Sequence, residues 1–179
     1  MVSQDLQFFV HDHPSLGADK RFRFDLAFPN AGLYRVLGDF YPDGGMPQMI
    51  VKSLIVPGTA PAATPLTRDY AAKETANLQV ELVTVPPQPI AGTKTMMFFR
   101  VSPREGLEQY LGAWGHMLAA SEDLIDLIHT HPFLEDEQAQ IQFNMIFPRA
   151  RVYRIWVQFQ RKGVVNTAHF DVPVHSLGQ

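Results

Sequence analysis

The 179 residues suffice for one large domain or one and a half small ones, and 46% hydrophobic against 18% charged content supports a packed core. A net charge of −3, with Lys and Arg scattered, leaves no basic footprint for nucleic acid, and no apolar run approaches the roughly 20 residues of a membrane span. Cysteine is absent, which excludes disulfides, thiolate metal sites and cysteine nucleophiles, and leaves histidine, methionine and carboxylates as ligands.

The chain opens on "SQDLQFFVHDHP" (Ser3 to Pro14), with no basic region followed by an apolar one of the kind that marks a signal peptide. Nearly the same words return in "SEDLIDLIHTHP" (Ser121 to Pro132): Ser, Asp, Leu, both His and the Pro coincide at an offset of 118. After a shift of one residue the likeness continues at 119. Phe24 falls on Phe143, Phe28-Pro29 on Phe147-Pro148, Tyr34-Arg35 on Tyr153-Arg154, Phe40 on Phe159 and Gly44 on Gly163. So many coincidences with a single shift point to an internal duplication.

Both copies read as strands. Phe22, Phe24, Leu26 and Phe28 alternate with other residues, as do Ile141, Phe143, Met145 and Phe147, a period of two that buries one face. "LYRVLGDFY" and "VYRIWVQFQ" are aromatic and β-branched and run into Gly turns. Between the copies, "VPGTAPAATPLT" (Val56 to Thr67) reads as a linker, and only "TRDYAAKETA" offers a turn or two of helix. Then come "ANLQVELVTV", "TKTMMFFRVS" and "QYLGAWGHMLAA", followed by "LIDLIHTH", the two strands already named and "VVNTAHFDVPV".

Seven short antiparallel strands at this spacing suit an immunoglobulin-like β-sandwich. Trp114 on the third strand and Tyr153, with Tyr34 as its repeat, fit the buried tryptophan and the tyrosine corner of such folds. The expected organisation is all-β: a partial repeat over 1–57 lacking its first strands, a linker over 58–67 and a complete sandwich over 68–179. Half a sandwich exposes an apolar face and an open edge. Burial against the second domain, or a homodimer, resolves that exposure, and an open strand edge also suits strand addition by a partner.

Within "LIHTHP", His129 and His131 are two apart on a strand and share a face. If "SEDL" is a tight hairpin loop, His116 stands opposite His129 and Trp114 opposite His131, where opposed Cβ atoms lie about 4.5–5.5 Å apart. Three imidazoles then meet, the ligand set of many zinc and copper sites. Met117 and Met145 are possible soft ligands, although Met117 points away from His116. The competing reading keeps the histidines as hydrogen-bonding ties at a sheet corner. The first copy retains His11 and His13, an incomplete second site.

Two enzymatic patterns are incomplete. Metalloproteases of the deubiquitinase type continue His-Ser/Thr-His-Pro with Ser and Asp, where this chain has Ala139 and Gln142. Cupins require His-x-His-x3-Glu, which Glu135 satisfies, yet the flanking glycines and later histidine are missing and the first copy has Gly17 instead. No phosphate loop or nucleophile elbow is present. The acidic "LEDEQ" reads as a solvated loop.

"YLGAWGHMLAASEDLIDLIHTHP" followed by "YRIWVQFQRKGVVNTAHF" resembles an immunoglobulin-like domain of exported bacterial proteins, in which Leu-Gly-x-x-Gly-His precedes Ser-Glu-Asp-Leu and His-x-His-Pro. The likeness covers most of 65–175, with a fainter half-copy over 1–57. Such domains are similar to small sandwich modules associated with periplasmic copper or heavy-metal handling. The resemblance implies a periplasmic setting, copper or zinc, and His116, His129 and His131 as ligands, and it implies no reaction.

Overall fold

The computed structural model describes residues 1–135 and 140–178. All regular structure among them is β, and the chain divides into two compact units, Met1–Thr64 and Pro65–Gln179. The first holds β1 (Val2–Ser3), β2 (Ser15–Leu16), β3 (Phe22–Arg23), β4 (Gly32–Phe40) and β5 (Gln48–Val56). The second holds β6 (Lys73–Glu74), β7 (Gln79–Val85), β8 (Lys94–Ser102), β9 (Leu107–Glu108), β10 (His116–Ser121), β11 (Leu127–Thr130), β12 (Leu134–Glu135), β13 (Gln140–Ile146), β14 (Val152–Arg161) and β15 (Val164–Pro173). Where the sequence suggests a helical turn, Lys73–Glu74 is instead a short strand against β7.

The second unit is an antiparallel β-sandwich. One sheet runs β11-β10-β14-β15, with β9 on the far end of β14, and the other β12-β13-β8-β7-β6. Alternate residues face inward as the pleat requires. Val80, Leu82, Met97, Phe99, Ile141 and Phe143 meet Met117, Ile155, Val157, Phe159, Phe170 and Val172 in one buried cluster. Phe99 sits at the middle, its ring centroid 5.5 Å from Phe143 in its own sheet and 6.0 and 5.9 Å from Phe159 and Phe170 across the core. The tryptophan buried in this unit is Trp156 on β14, 4% exposed. Trp114 lies in a bend ahead of β10 and is half-buried. Leu134–Glu135 of the acidic run forms a strand against β13, and the rest of that run, with Ala139, lies outside the described residues.

The repeated Ser-x-Asp-Leu words build the same turn twice. Ser121 Oγ donates to Asp123 Oδ1 at 2.6 Å and accepts the Asp126 amide at 2.9 Å, while Asp123 Oδ1 accepts the Ile125 amide at 3.2 Å. In the first unit Ser3 Oγ bonds Asp5 Oδ1 and accepts the Phe8 amide at 3.0 Å, and Asp5 accepts the Gln7 amide at 3.1 Å. Leu6 and Leu124 close the two turns in the left-handed region, at φ 55° and 56°, and both side chains are buried. Apolar burial holds a conformation that a leucine otherwise avoids.

The tyrosine corner is also present in both. The Tyr34 phenol donates to the Asn30 carbonyl at 2.7 Å and accepts its amide at 3.3 Å. The Tyr153 phenol accepts the Arg149 amide at 3.3 Å, lies 3.2 Å from the Arg149 carbonyl and donates to Asp126 Oδ2 at 2.7 Å. Arg149 closes this corner with paired bonds of 2.9 Å to both oxygens of Asp123 and a further 2.9 Å bond from Nε to Asp126. That guanidinium holds the Asp123 carboxyl well below the usual carboxylate range. Burial, reinforced by Asp126, pushes the Tyr153 phenol up.

The first unit keeps a three-stranded sheet in the order β1-β4-β5 and a small hairpin of β2 with β3. The strand expected over 22–28 shrinks to Phe22–Arg23, and Phe22 and Phe24 are exposed. The reason is a missing neighbour. The counterpart β13 pairs along its whole length with β8, and the first unit has no strand equivalent to β8.

Tyr153→Phe removes the donor to Asp126 while preserving the ring, and is expected to lower stability by about 1–2 kcal/mol in urea unfolding. Because the native Asp123 carboxyl titrates below its unfolded value, its contribution is complete above about pH 5 and is lost as pH falls towards the native value. Asp123→Asn is therefore expected to flatten the loss of unfolding midpoint on acidification; an unchanged acid slope would contradict this.

Candidate metal centre

His116 opens β10, and the residues just before it explain how it is held. The strand expected over Gln109–Ala120 is interrupted. Tyr110 and Ala113 exchange amide bonds of 2.8 and 3.1 Å, with Leu111 and Gly112 between them at φ 49° and 84°. Two central residues at positive φ make a two-residue hairpin turn of the I′ kind. Gly115 then passes so close to the core that a Cβ there would lie 2.8 Å from the Phe159 ring. The Leu-Gly-x-x-Gly-His string is thus a turn, a close approach and a placed imidazole.

The imidazole points back to that turn. His116 Nε2 lies 2.7 Å from the Tyr110 carbonyl oxygen, and the two rings meet edge-on at 5.7 Å. A carbonyl only accepts, so Nε2 carries a proton, and in the neutral imidazole Nδ1 then holds the lone pair. His116 is 3% exposed, and His116 Nδ1 and His129 Nε2 are both shielded from solvent.

The register between β10 and β11 differs from the expectation. Met117 stands opposite Thr130 and Leu118 opposite His129, so one step further on His116 stands across from His131 rather than His129. The expected register assumed a loop of four residues, Ser121 to Leu124. The Ser121 turn extends the loop to Asp126, which shifts the pairing by two. A shift of two preserves the face of every side chain, whereas a shift of one would have reversed it. The histidines therefore still meet. Ring centroids are 4.7 Å apart for His116–His131, 4.8 Å for His129–His131 and 5.9 Å for His116–His129, with His131 nearly perpendicular to the other two.

Imidazoles sharing one ion at 2.0–2.1 Å in tetrahedral geometry place their centroids about 5 Å apart; the donor nitrogens of His116 and His129 lie within 4.8 Å of each other, and the His131 ring stands 4.7 and 4.8 Å from theirs. The donor set is all nitrogen. Met117 and Met145 are packed in the sandwich core, 0% and 3% exposed, and neither belongs to the face that carries the histidines. Beside the cluster, Gln158 stands opposite His116 and gives its amide to Thr167, and Trp156 stands opposite Leu118.

In the first unit, His11 and His13 lie in irregular chain between β1 and β2, His11 half-buried and His13 exposed, rather than on a strand. Gln142 and Glu135 belong to β13 and β12, in the sheet opposite the histidines, where Gln142 donates to Asn144. Sequence reading missed the Tyr110 carbonyl, a backbone group with no side-chain signature. The adjacent Leu-Gly was its one available signal.

The chain belongs to the DUF8832 family. Its sequence model, described as a domain of unknown function, matches residues 73–176. That span carries β6 to β15 and all three clustered histidines. No curated protein matches the chain, and no solved structure does. No helix among the described residues is long and apolar enough to cross a membrane.

In the metal-free DUF8832 domain, long-range ¹H–¹⁵N spectra are expected to show His116 protonated at Nε2 with an imine-like Nδ1. The opposite tautomer would remove the Tyr110 hydrogen bond from the site.

Proposed function

We propose that this DUF8832 domain is a non-enzymatic module that binds a transition metal through His116, His129 and His131. The observation that carries the reading is the mutual approach of three imidazoles on one sheet face, at centroid separations of 4.7, 4.8 and 5.9 Å. Two further features support it. The Tyr110 carbonyl bond leaves the lone pair on His116 Nδ1, the second-layer arrangement typical of ligating histidines. With neither thiolate nor thioether on that face, the donors favour a borderline divalent ion, zinc or copper(II), over soft copper(I). Such an ion, when bound, supplies a Lewis-acidic crosslink between β10 and the end of β11.

We read the sandwich as immunoglobulin-like, supported by its strand order and its tyrosine corner. The first unit is read as a half-repeat, supported by the shared Ser-x-Asp-Leu turn and the Tyr34 corner. A second reading rests on the same 2.7 Å bond to Tyr110: the histidines tie the turn to the sheet and bind nothing.

Calorimetric titration with Zn(II) and Cu(II) separates the two. One ion per chain is expected in the wild type. His129→Ala is expected to weaken binding by more than about 100-fold, beyond the 10–100-fold usual for second-layer partners. Copper(II) is also expected to quench tryptophan emission through Trp156 and Trp114, which flank His116 in the sheet and in sequence. Titration that gives no heat and no quenching, with His129→Ala merely less stable, would establish the architectural reading.

A further inference from the structure

We infer that the Tyr110–Ala113 turn is the positioning device of the metal centre, and that His116 ligates through Nδ1. The inference rests on the metal-binding reading above. The Tyr110 carbonyl accepts two hydrogen bonds, from the Ala113 amide at 3.1 Å and from His116 Nε2 at 2.7 Å. The first bond closes a turn whose two central residues, Leu111 and Gly112, stand at positive φ. The second fixes both the tautomer and the rotation of the imidazole. The backbone conformation at 111–112 and the lone pair at Nδ1 are therefore linked through one oxygen atom.

A leucine at φ 49° in a turn that prefers Asn or Asp is a local misfit. Strained backbone of this kind collects where a side chain has to be aimed. Gly115 fixes the other end: its approach to the Phe159 ring and the Gln158 carbonyl leaves no space for a Cβ, so the backbone leading into His116 cannot move towards the core. The imidazole thus sits between the close approach at Gly115 and the hydrogen bond to the Tyr110 carbonyl.

Gly112 is the position at which to test this. A Cβ there would meet nothing within 4 Å, so a substitution acts through φ alone and leaves the packing untouched. Gly112→Val, a β-branched residue at φ 84°, is expected to open the turn, mix the two His116 tautomers in ¹⁵N spectra and weaken Zn(II) binding by about 10–100-fold. Leu111→Asn, which suits positive φ, is expected to keep wild-type affinity and a single tautomer. Should Gly112→Val fail to fold, Gly112→Ala is read in the same way.

Zinc bound equally by wild type and the Gly112 variant, or an unchanged tautomer in a variant whose turn has opened, would overturn the inference and leave the metal reading intact. Absence of zinc binding in the wild type would overturn both.

Discussion

Ser121 Oγ receives the Asp126 amide and donates to Asp123, and these bonds fix where β10 ends and β11 begins. Arg149 grips Asp123 and Asp126 from below, and the Tyr153 phenol adds a third hold on Asp126. The loop length that results sets the register of the hairpin, and the register decides which histidine faces which. A loop shorter by two would have placed His129 opposite His116; a loop shorter by one would have turned the histidines away from each other. The candidate centre is thus governed from the far end of the hairpin, by a charged corner that contains none of its ligands.

The two units show how much of this grammar is local. Ser3, Asp5 and Leu6 make the turn of Ser121, Asp123 and Leu124, and Tyr34 makes the corner of Tyr153. Where the second unit places Asp126 under its tyrosine, the first places Phe8, whose ring meets Tyr34 edge-on at 5.9 Å. An aromatic contact takes the place of a charged one. Beyond the turn and the corner the likeness fails. Phe159, Phe170 and Val172 are sealed beneath the sheet of β7, β8 and β13, whereas Phe40, Ile50 and Leu54 are 37–46% exposed on β4 and β5. Similar strand sequences reach different burial because only one of them has a facing sheet.

The same contrast bears on the histidines. His129 has a strand to stand on because β10 pairs with β11 over four residues. His11 and His13 follow an equivalent turn, yet β1 is only two residues long and the chain beyond it is irregular.

Period-two patterning determined the all-β class and most strands of the second unit, because inward and outward residues must alternate on any half-buried sheet. It also put His129 and His131 on one face, two residues apart along a strand; that His116 joins them follows from the hairpin register. Tertiary structure alone decided the pairing itself, through a loop whose length depends on Ser121 Oγ and Arg149. It alone showed the strand before His116 broken by the Tyr110–Ala113 turn, and it alone supplied the Tyr110 carbonyl, which no residue type announces. The shortened 22–28 strand follows the same rule: alternation states which face would be buried, and only a hydrogen-bonded neighbour makes the segment a strand.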